Sequence, residues 1–274
     1  GERTRGSDPD RKGCMRMSCL HVRLDSHPLD DPHYRSRCSE VLAETGVLVL
    51  EGFFTSEAVA QVVAASAHRE DEAYYAASTH NVYLTPPDPG LPGSHPFNRQ
   101  VASSKGLLAD DQIPAGSPLR EVYGDGSFRS FLCSVLSTEA IHPYDDDLSS
   151  INLHFAADGR ELGWHFDNSS FAVTMLLQAP VAGGHFEYVP AVRDADAGDM
   201  GFDRVADVLD GLVQVERLAF SPGDLVVFRG RNAMHRVTPT IGAVTRLLVV
   251  FAFNDRPGIG LSDSALRTFY GRRS

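Results

Sequence analysis

The chain has 274 residues, of which 42% are hydrophobic, and a formal net charge of −11. That is enough apolar material for one substantial core, while an acidic balance without any Lys/Arg-rich stripe argues against a nucleic-acid partner. No apolar run approaches the roughly 18–20 residues that span a bilayer, so no membrane association and a cytoplasmic location are expected.

Residues 1–28 are polar, charged and without period, and read as a flexible tail ahead of one domain over 29–274. Pro32–Thr45 reads as a helix, with Pro in its first turn and Gly46 just past its end. Val47–Leu50 is a short apolar strand. Thr55 suits the N-cap of a helix reaching about residue 69, with Val59, Val62 and Val63 along one side. Residues 80–120 are rich in Pro, Gly, Ser and Asn and read as a long irregular stretch, either functional or mobile. A further helix is expected over 127–136.

From about residue 149 the character changes. Strands are expected at 151–156, 163–166, 172–178, 185–189, 213–219, 224–228, 235–238 and 246–253. Turn signals at Asp158-Gly159, Gly183-Gly184, Pro222-Gly223-Asp224 and Ile241-Gly242 separate them. The pattern predicts a mainly β fold with α: a jelly roll (double-stranded β-helix) core over about 149–256 under an N-terminal helical layer. An acidic segment that reads as a helix, 198–212, interrupts the strands, and the polar stretch 194–210 reads as a lid over a pocket. Cys14, Cys19, Cys38 and Cys133 match no zinc spacing and read as reduced thiols.

Trp164-His165-Phe166-Asp167 is the sharpest chemical feature. Alternate strand residues share a face, so His165 and Asp167 point the same way and can grip one ion. Two histidines and one carboxylate on one face of an octahedron leave positions open for a chelating co-substrate and O2. His235, opening a later strand, is the best third ligand. A His-x-Asp pair alone is weak, and Arg246 strengthens it. An arginine at the head of the apolar run 247–253 needs an anionic partner, because an isolated buried charge is very costly. Either a carboxylate ligand or a structural ion pair meets that need. His185 and Glu187 form a second pair with the same spacing and stand as the weaker alternative.

The order His165-x-Asp167, His235, Arg246 resembles the Fe(II)/2-oxoglutarate-dependent oxygenase superfamily. Gly183-Gly184-His185-Phe186-Glu187-Tyr188 is similar to its Gly-Gly hairpin, and Pro222-Gly223-Asp224-Leu225-Val226-Val227-Phe228 to the turn and strand before the second histidine. Gly230-Arg231, His235-Arg236-Val237-Thr238-Pro239 and Thr245-Arg246 resemble more narrowly the branch of free-amino-acid hydroxylases and related amino-acid radical halogenases. The resemblance covers about 45–272. It implies Fe(II) on His165, Asp167 and His235, with 2-oxoglutarate and O2 as co-substrates. It also implies that Arg246 holds the far carboxylate of 2-oxoglutarate with help from Thr238. Halogenases of that branch carry a small residue at the carboxylate position, so Asp167 turns the expectation towards hydroxylation of a small molecule.

Further candidates follow from position. Asn152 and His154 share a face of the strand before the motif and are candidates for contact with 2-oxoglutarate or for satisfied core polars. Asn168, Arg99 and Trp164 are candidates for substrate contact, Trp164 being better suited to packing beside the metal. One of Arg229, Arg231 and Arg236 is expected to pair with a carboxylate near the site. Three alternatives stay open: desaturation, cyclisation or halogenation at the same iron; a cupin-type isomerase or hydrolase; and a jelly-roll binding module. A monomer or homodimer is expected.

Overall fold

Alternation along the strands builds two facing sheets. The computed structural model describes residues 20–76 and 78–274. Its helices are α1 (Pro32–Thr45), α2 (Ser56–Ser66), α3 (Pro118–Gly124), α4 (Gly126–Leu136), α5 (Phe202–Leu209) and α6 (Asp263–Tyr270). Its strands begin with β1 (Val47–Leu50), β2 (Tyr74–Tyr75), β3 (Ser78–His80), β4 (Val101–Ser103) and β5 (Gly106–Leu108). They continue with β6 (Ile151–Ala156), β7 (Leu162–His165), β8 (Ala172–Gln178), β9 (Ala182–Gly183) and β10 (Phe186–Val189). The last five are β11 (Glu216–Leu218), β12 (Leu225–Phe228), β13 (Met234–Val237), β14 (Thr240–Ile241) and β15 (Arg246–Phe251). The large sheet runs β1-β12-β8-β15-β6-β5-β2 and the small one β11-β10-β13-β7-β4-β3, with every pairing antiparallel. This is the expected jelly roll.

Strand β15 shows how the layers divide. Leu247, Val249 and Phe251 belong to the main core, together with Leu42, Val62, Phe128 and Phe131 of the helices. Arg246, Leu248 and Val250 alternate with them and so face the small sheet. The helical layer therefore covers the outer face of the large sheet. Between the sheets, Val226 and Phe228 of β12 meet Phe186 and Tyr188 of β10 in a second apolar cluster that closes one side of the interior.

Local chemistry sets the helix ends. Asp31 accepts from the Tyr34 N–H, Pro32 follows, and Gly46 ends α1 in the left-handed region at φ 75°. Thr55 accepts from Ala58 N–H to start α2, which gives way after Ser66 to a 3₁₀ turn over Ala67–Glu72.

Several expectations are corrected. Residues 20–28 are no tail: Val22 bridges Phe54, and buried His27 bonds Tyr34 Oη at 2.6 Å and Glu51 O at 2.7 Å. The rest of that expected tail, with Cys14 and Cys19, lies outside the described residues. The stretch 80–120 is not irregular throughout, since β4, β5 and the start of α3 lie in it, and its residues 81–100 are ordered by buried asparagines. Asn81 donates to Phe97 O, and Asn98 donates to Asp88 O and Leu91 O, so side chains satisfy a backbone with no ladder of its own. The strand expected at 213–219 shrinks to Glu216–Leu218, an edge position. The insertion is no lid, since Val205 and Val208 of α5 pack with Trp164 and Met234 on the outer face of the small sheet. No helix among the described residues is long and apolar enough to cross a membrane.

Phe251 is 1% exposed where helices and large sheet meet. Phe251→Ala should lower unfolding free energy by about 3–5 kcal/mol, read from urea denaturation with an unchanged m-value.

Candidate metal and co-substrate site

β7 and β13 are neighbours, and their register sets His165 directly opposite His235. The ring centroids are 4.2 Å apart. Both imidazoles solve their second nitrogen alike. His165 Nδ1 lies 2.9 Å from Gly163 O, and His235 Nδ1 lies 2.9 Å from Ala233 O. A carbonyl can only accept, so each Nδ1 carries the proton and each Nε2 keeps its lone pair. Asp167 follows the end of β7, its N–H donating to Gly230 O at 3.0 Å. Its Oδ1 lies 3.5 Å from His165 Nε2 and 3.2 Å from His235 Nε2.

The donor set fits a divalent metal. One ligand atom from each of His165, Asp167 and His235 lies within 4.8 Å of the others. Among the described residues this is the one cluster of its kind. Asp167 Oδ2 is buried without a hydrogen-bond partner, a costly state for a carboxylate oxygen unless a cation takes it up. Burial and the neighbouring His235 push the His165 imidazole below its ordinary range, which keeps Nε2 unprotonated. Burial alone would raise the Asp167 carboxyl, but His235 and His165 outweigh it and hold it well below the usual carboxylate range. Gly230 makes the close approach possible: a Cβ there would overlap Asp167 Oδ2 and stand 2.7 Å from His235 Cε1.

Arg246 opens β15 on the opposing sheet, buried at 6% exposure. Among the described residues no carboxylate pairs with it, and burial pushes its guanidinium down to about 10. It lines a cavity of about 690 Å³ together with Leu176, Gly184 and Phe186, a cavity to whose wall His165, Asp167 and His235 do not contribute. Gly184, at φ +61°, lies on the arginine stem: a Cβ there would stand 2.9 Å from Arg246 Cδ. The Gly183-Gly184 turn is thus a close cover for this side chain. His154 faces the same interior and lies 3.0 Å by Nδ1 from Lys105 Nζ, a lysine that the sequence reading did not single out.

The remaining candidates fall elsewhere. Asn152 is consumed structurally, with Oδ1 accepting from Tyr270 Oη and Nδ2 donating to Leu148 O, each at 2.8 Å, so it is no co-substrate contact. Trp164 points to the face of β7 opposite His165, packs with Val205 and Met234, and takes the Arg236 guanidinium 4.8 Å above its ring. It is a packing residue and no substrate platform. Arg99 is committed to Asp210 at 2.7 Å, which corrects its assignment to a free substrate carboxylate. Thr238 Oγ1 accepts from His185 N–H and pins the hairpin. Asn168 is exposed at the rim, its carbonyl bonded by Arg231. The alternative metal pair dissolves, because Glu187 is held by Arg217 and Arg236 while His185 is exposed. Arg193 was also unforeseen. Its guanidinium stacks 4.2 Å over Phe166 and donates to Asp167 O.

A family model described as Halogenase D matches residues 105–260. No curated protein matches the chain in sequence. Solved structures with a similar fold include a 2OG-Fe(II) oxygenase family oxidoreductase from Burkholderia pseudomallei, at TM-score 0.53 and 15% identity over 82% of this chain and 93% of that one. The non-heme alpha ketoglutarate dependent epimerase SnoN of nogalamycin biosynthesis reaches 0.57 and 14% over 81% and 84%. A prolyl hydroxylase from Trichoplax adhaerens, solved with a hypoxia inducible factor peptide fragment, reaches 0.53 and 12% over 88% and 96%. At such identities the likeness carries the fold.

Gly230→Ala should weaken Mn(II) binding by about tenfold or more, since the new methyl displaces two ligands by steric overlap. Calorimetric titration reads this, and metal affinity equal to wild type would contradict the assignment.

Proposed function

We propose that this chain, which belongs to the Halogenase D family, hydroxylates an unactivated C–H bond of a small molecule, a free amino acid or a metabolite derived from one. It is a 2-oxoglutarate-dependent dioxygenase that uses Fe(II), 2-oxoglutarate and O2. When bound, the metal and its co-substrates supply the oxidising power for the attack.

The chain's own residues supply position and charge. His165, Asp167 and His235 would hold the iron through Nε2, a carboxylate oxygen and Nε2. Arg246 would receive the far carboxylate of 2-oxoglutarate in a bidentate, charge-assisted pair. The Gly183-Gly184 turn packs on the Arg246 stem and fixes where the guanidinium points. Thr238 keeps the turn in place and is the nearby hydroxyl suited to assist. Asn168, at the rim beside Asp167, is the best-placed group to contact the substrate.

Asp167 carries the choice of hydroxylation over halogenation. Halogenases of the resembling branch have a small residue at this position, where halide enters. Here a carboxylate with one oxygen toward both imidazoles fills it. A halide would have to displace a buried anion from between two histidines. The family's name favours halogenation, and the ligand set speaks for hydroxylation.

Two measurements test this. A succinate-release screen over free amino acids, run with chloride present and His165→Ala as the blank, should give a product heavier by one oxygen. A chlorinated product sinks the hydroxylase reading, and uncoupled background turnover across all amino acids sinks the substrate class. Arg246→Met should raise the Kd for 2-oxoglutarate on the order of 100-fold, the loss typical of a buried charge pair. An unchanged Kd rules out the co-substrate assignment.

A further inference from the structure

Asp167 is the metal ligand that strand pairing does not place. The register of β7 with β13 sets His165 opposite His235, but β7 ends at His165 and Asp167 lies beyond it. The Asp167 N–H donates to Gly230 O at 3.0 Å, which ties it to the 229–233 loop between β12 and β13. A single backbone bond lets two segments swing about it. Yet the carboxylate has little room to swing. Gly230 backs on it so closely that no Cβ fits, and its Oδ1 stands 3.2 Å from His235 Nε2. The spacing of the two segments therefore decides where the carboxylate stands against the imidazoles, and a second tie is needed to fix it.

Arg193 supplies that tie. Its Nε donates to Arg231 O at 2.7 Å and its Nη2 to Asp167 O at 3.4 Å. One guanidinium thus bridges the loop and the ligand's own carbonyl. The bridge needs a planar fork with donors at fixed angles, which an ammonium on a flexible stem does not offer. The fork is itself held in place. It stacks 4.2 Å over Phe166, the residue between His165 and Asp167, and lies 5.8 Å over Tyr83. Its backbone is fastened to the same loop. Asn232 O accepts from the Val192 and Arg193 N–H groups at 2.9 and 3.3 Å, and Asn232 Oδ1 accepts from the Ala195 N–H at 2.9 Å. Phe166 belongs to the apolar cluster on the outer face of the small sheet. The arginine therefore works from behind the ligands and leaves the metal face open.

We infer that Arg193 is a positioning residue for the metal centre: by clamping the Asp167 segment to the 229–233 loop it holds the carboxylate at the metal. This rests on the metal assignment above. Without the guanidinium, the Asp167 segment swings about its bond to Gly230, the carboxylate spends less time on the metal, and a small exogenous anion takes the position it vacates. Arg193 thereby guards the position on which the choice between hydroxylation and halide capture depends.

Two titrations test this without turnover: Mn(II) into the protein by calorimetry, and azide into Co(II)-loaded protein by visible absorption. Arg193→Ala should weaken Mn(II) by about tenfold or more, the loss typical of a group that orients a metal ligand. Azide should bind its Co(II) form more tightly than it binds the wild type. Both signs are opposite to what deleting a nearby positive charge would do by electrostatics alone. Arg193→Lys, which keeps the charge and loses the fork, should stay weak, and added methylguanidinium should restore Mn(II) affinity to Arg193→Ala. Arg99→Met, which frees α5 from its ion pair with Asp210, should bind Mn(II) like the wild type. Wild-type or tighter Mn(II) binding in Arg193→Ala overturns the inference. An equal loss in Arg99→Met overturns it too, because loosened packing would then suffice. Should His165→Ala bind Mn(II) normally, the metal assignment falls and takes this inference with it. Hydrogen exchange on the unmutated protein guards against misfolded variants. By linkage, Mn(II) should slow exchange of the Val192, Arg193 and Ala195 amides, and equal rates with and without the metal count against the clamp.

Discussion

Two imidazoles stand directly across an antiparallel strand pair, each giving its Nδ1 proton to the carbonyl two residues before it. That repeated bond turns both Nε2 lone pairs towards one point. Everything else about the site is an accommodation to it. Asp167 must leave β7 to reach the same point, and its N–H finds Gly230 O when it does. The Gly230 segment must in turn come close enough that no side chain fits. Arg193 braces the arrangement from outside by stacking on Phe166 and bonding the Asp167 carbonyl.

The two sheets divide the work. The large sheet gives one face to the helical core, where Phe128, Phe131, Leu153 and Phe251 are essentially fully buried. That layer supplies the hydrophobic stabilisation that lets the inner face carry groups a core would reject. Cations sit on the inner wall of the large sheet and metal ligands on that of the small one. A dianionic co-substrate lying between them would meet opposite charge on both sides. The outer face of the small sheet needs its own cover, and α5 with Trp164, Tyr83 and Val192 provides it.

Membership of the Halogenase D family and a carboxylate at position 167 pull in different directions only if a family name is taken as a reaction. A fold hosts chemistries that differ by one ligand. The carboxylate and the glycine behind it form a matched pair: one fills the space that the other leaves. Losing the carboxylate without changing Gly230 would open space beside the two histidines, and it is this space that the proposed reading denies to halide.

The amino-acid order alone determined a good deal. Strands β6 and β8 are legible residue for residue, because alternation has a period of two and their turn signals are strong. Helix α1 is equally legible from Pro32 and Gly46. His165 and Asp167 were paired by strand alternation, although Asp167 lies past the end of β7. His235 was read from its place at the head of a later strand and Arg246 from its charge at the head of an apolar run, and the resemblance joined the four. Tertiary structure decided the rest. Strands two and three residues long, such as β2 and β5, carry no period, and helices α3 and α6 are too short to show one. The order of residues 81–100 comes from buried asparagines whose partners lie up to sixteen residues away. Asn152 stood open between co-substrate contact and satisfied core polar until Tyr270, from a distant helix, took its oxygen. Lys105 was invisible for the same reason. A single lysine before a short strand has no pattern, and its place is visible only when β6 brings His154 to 3.0 Å from it.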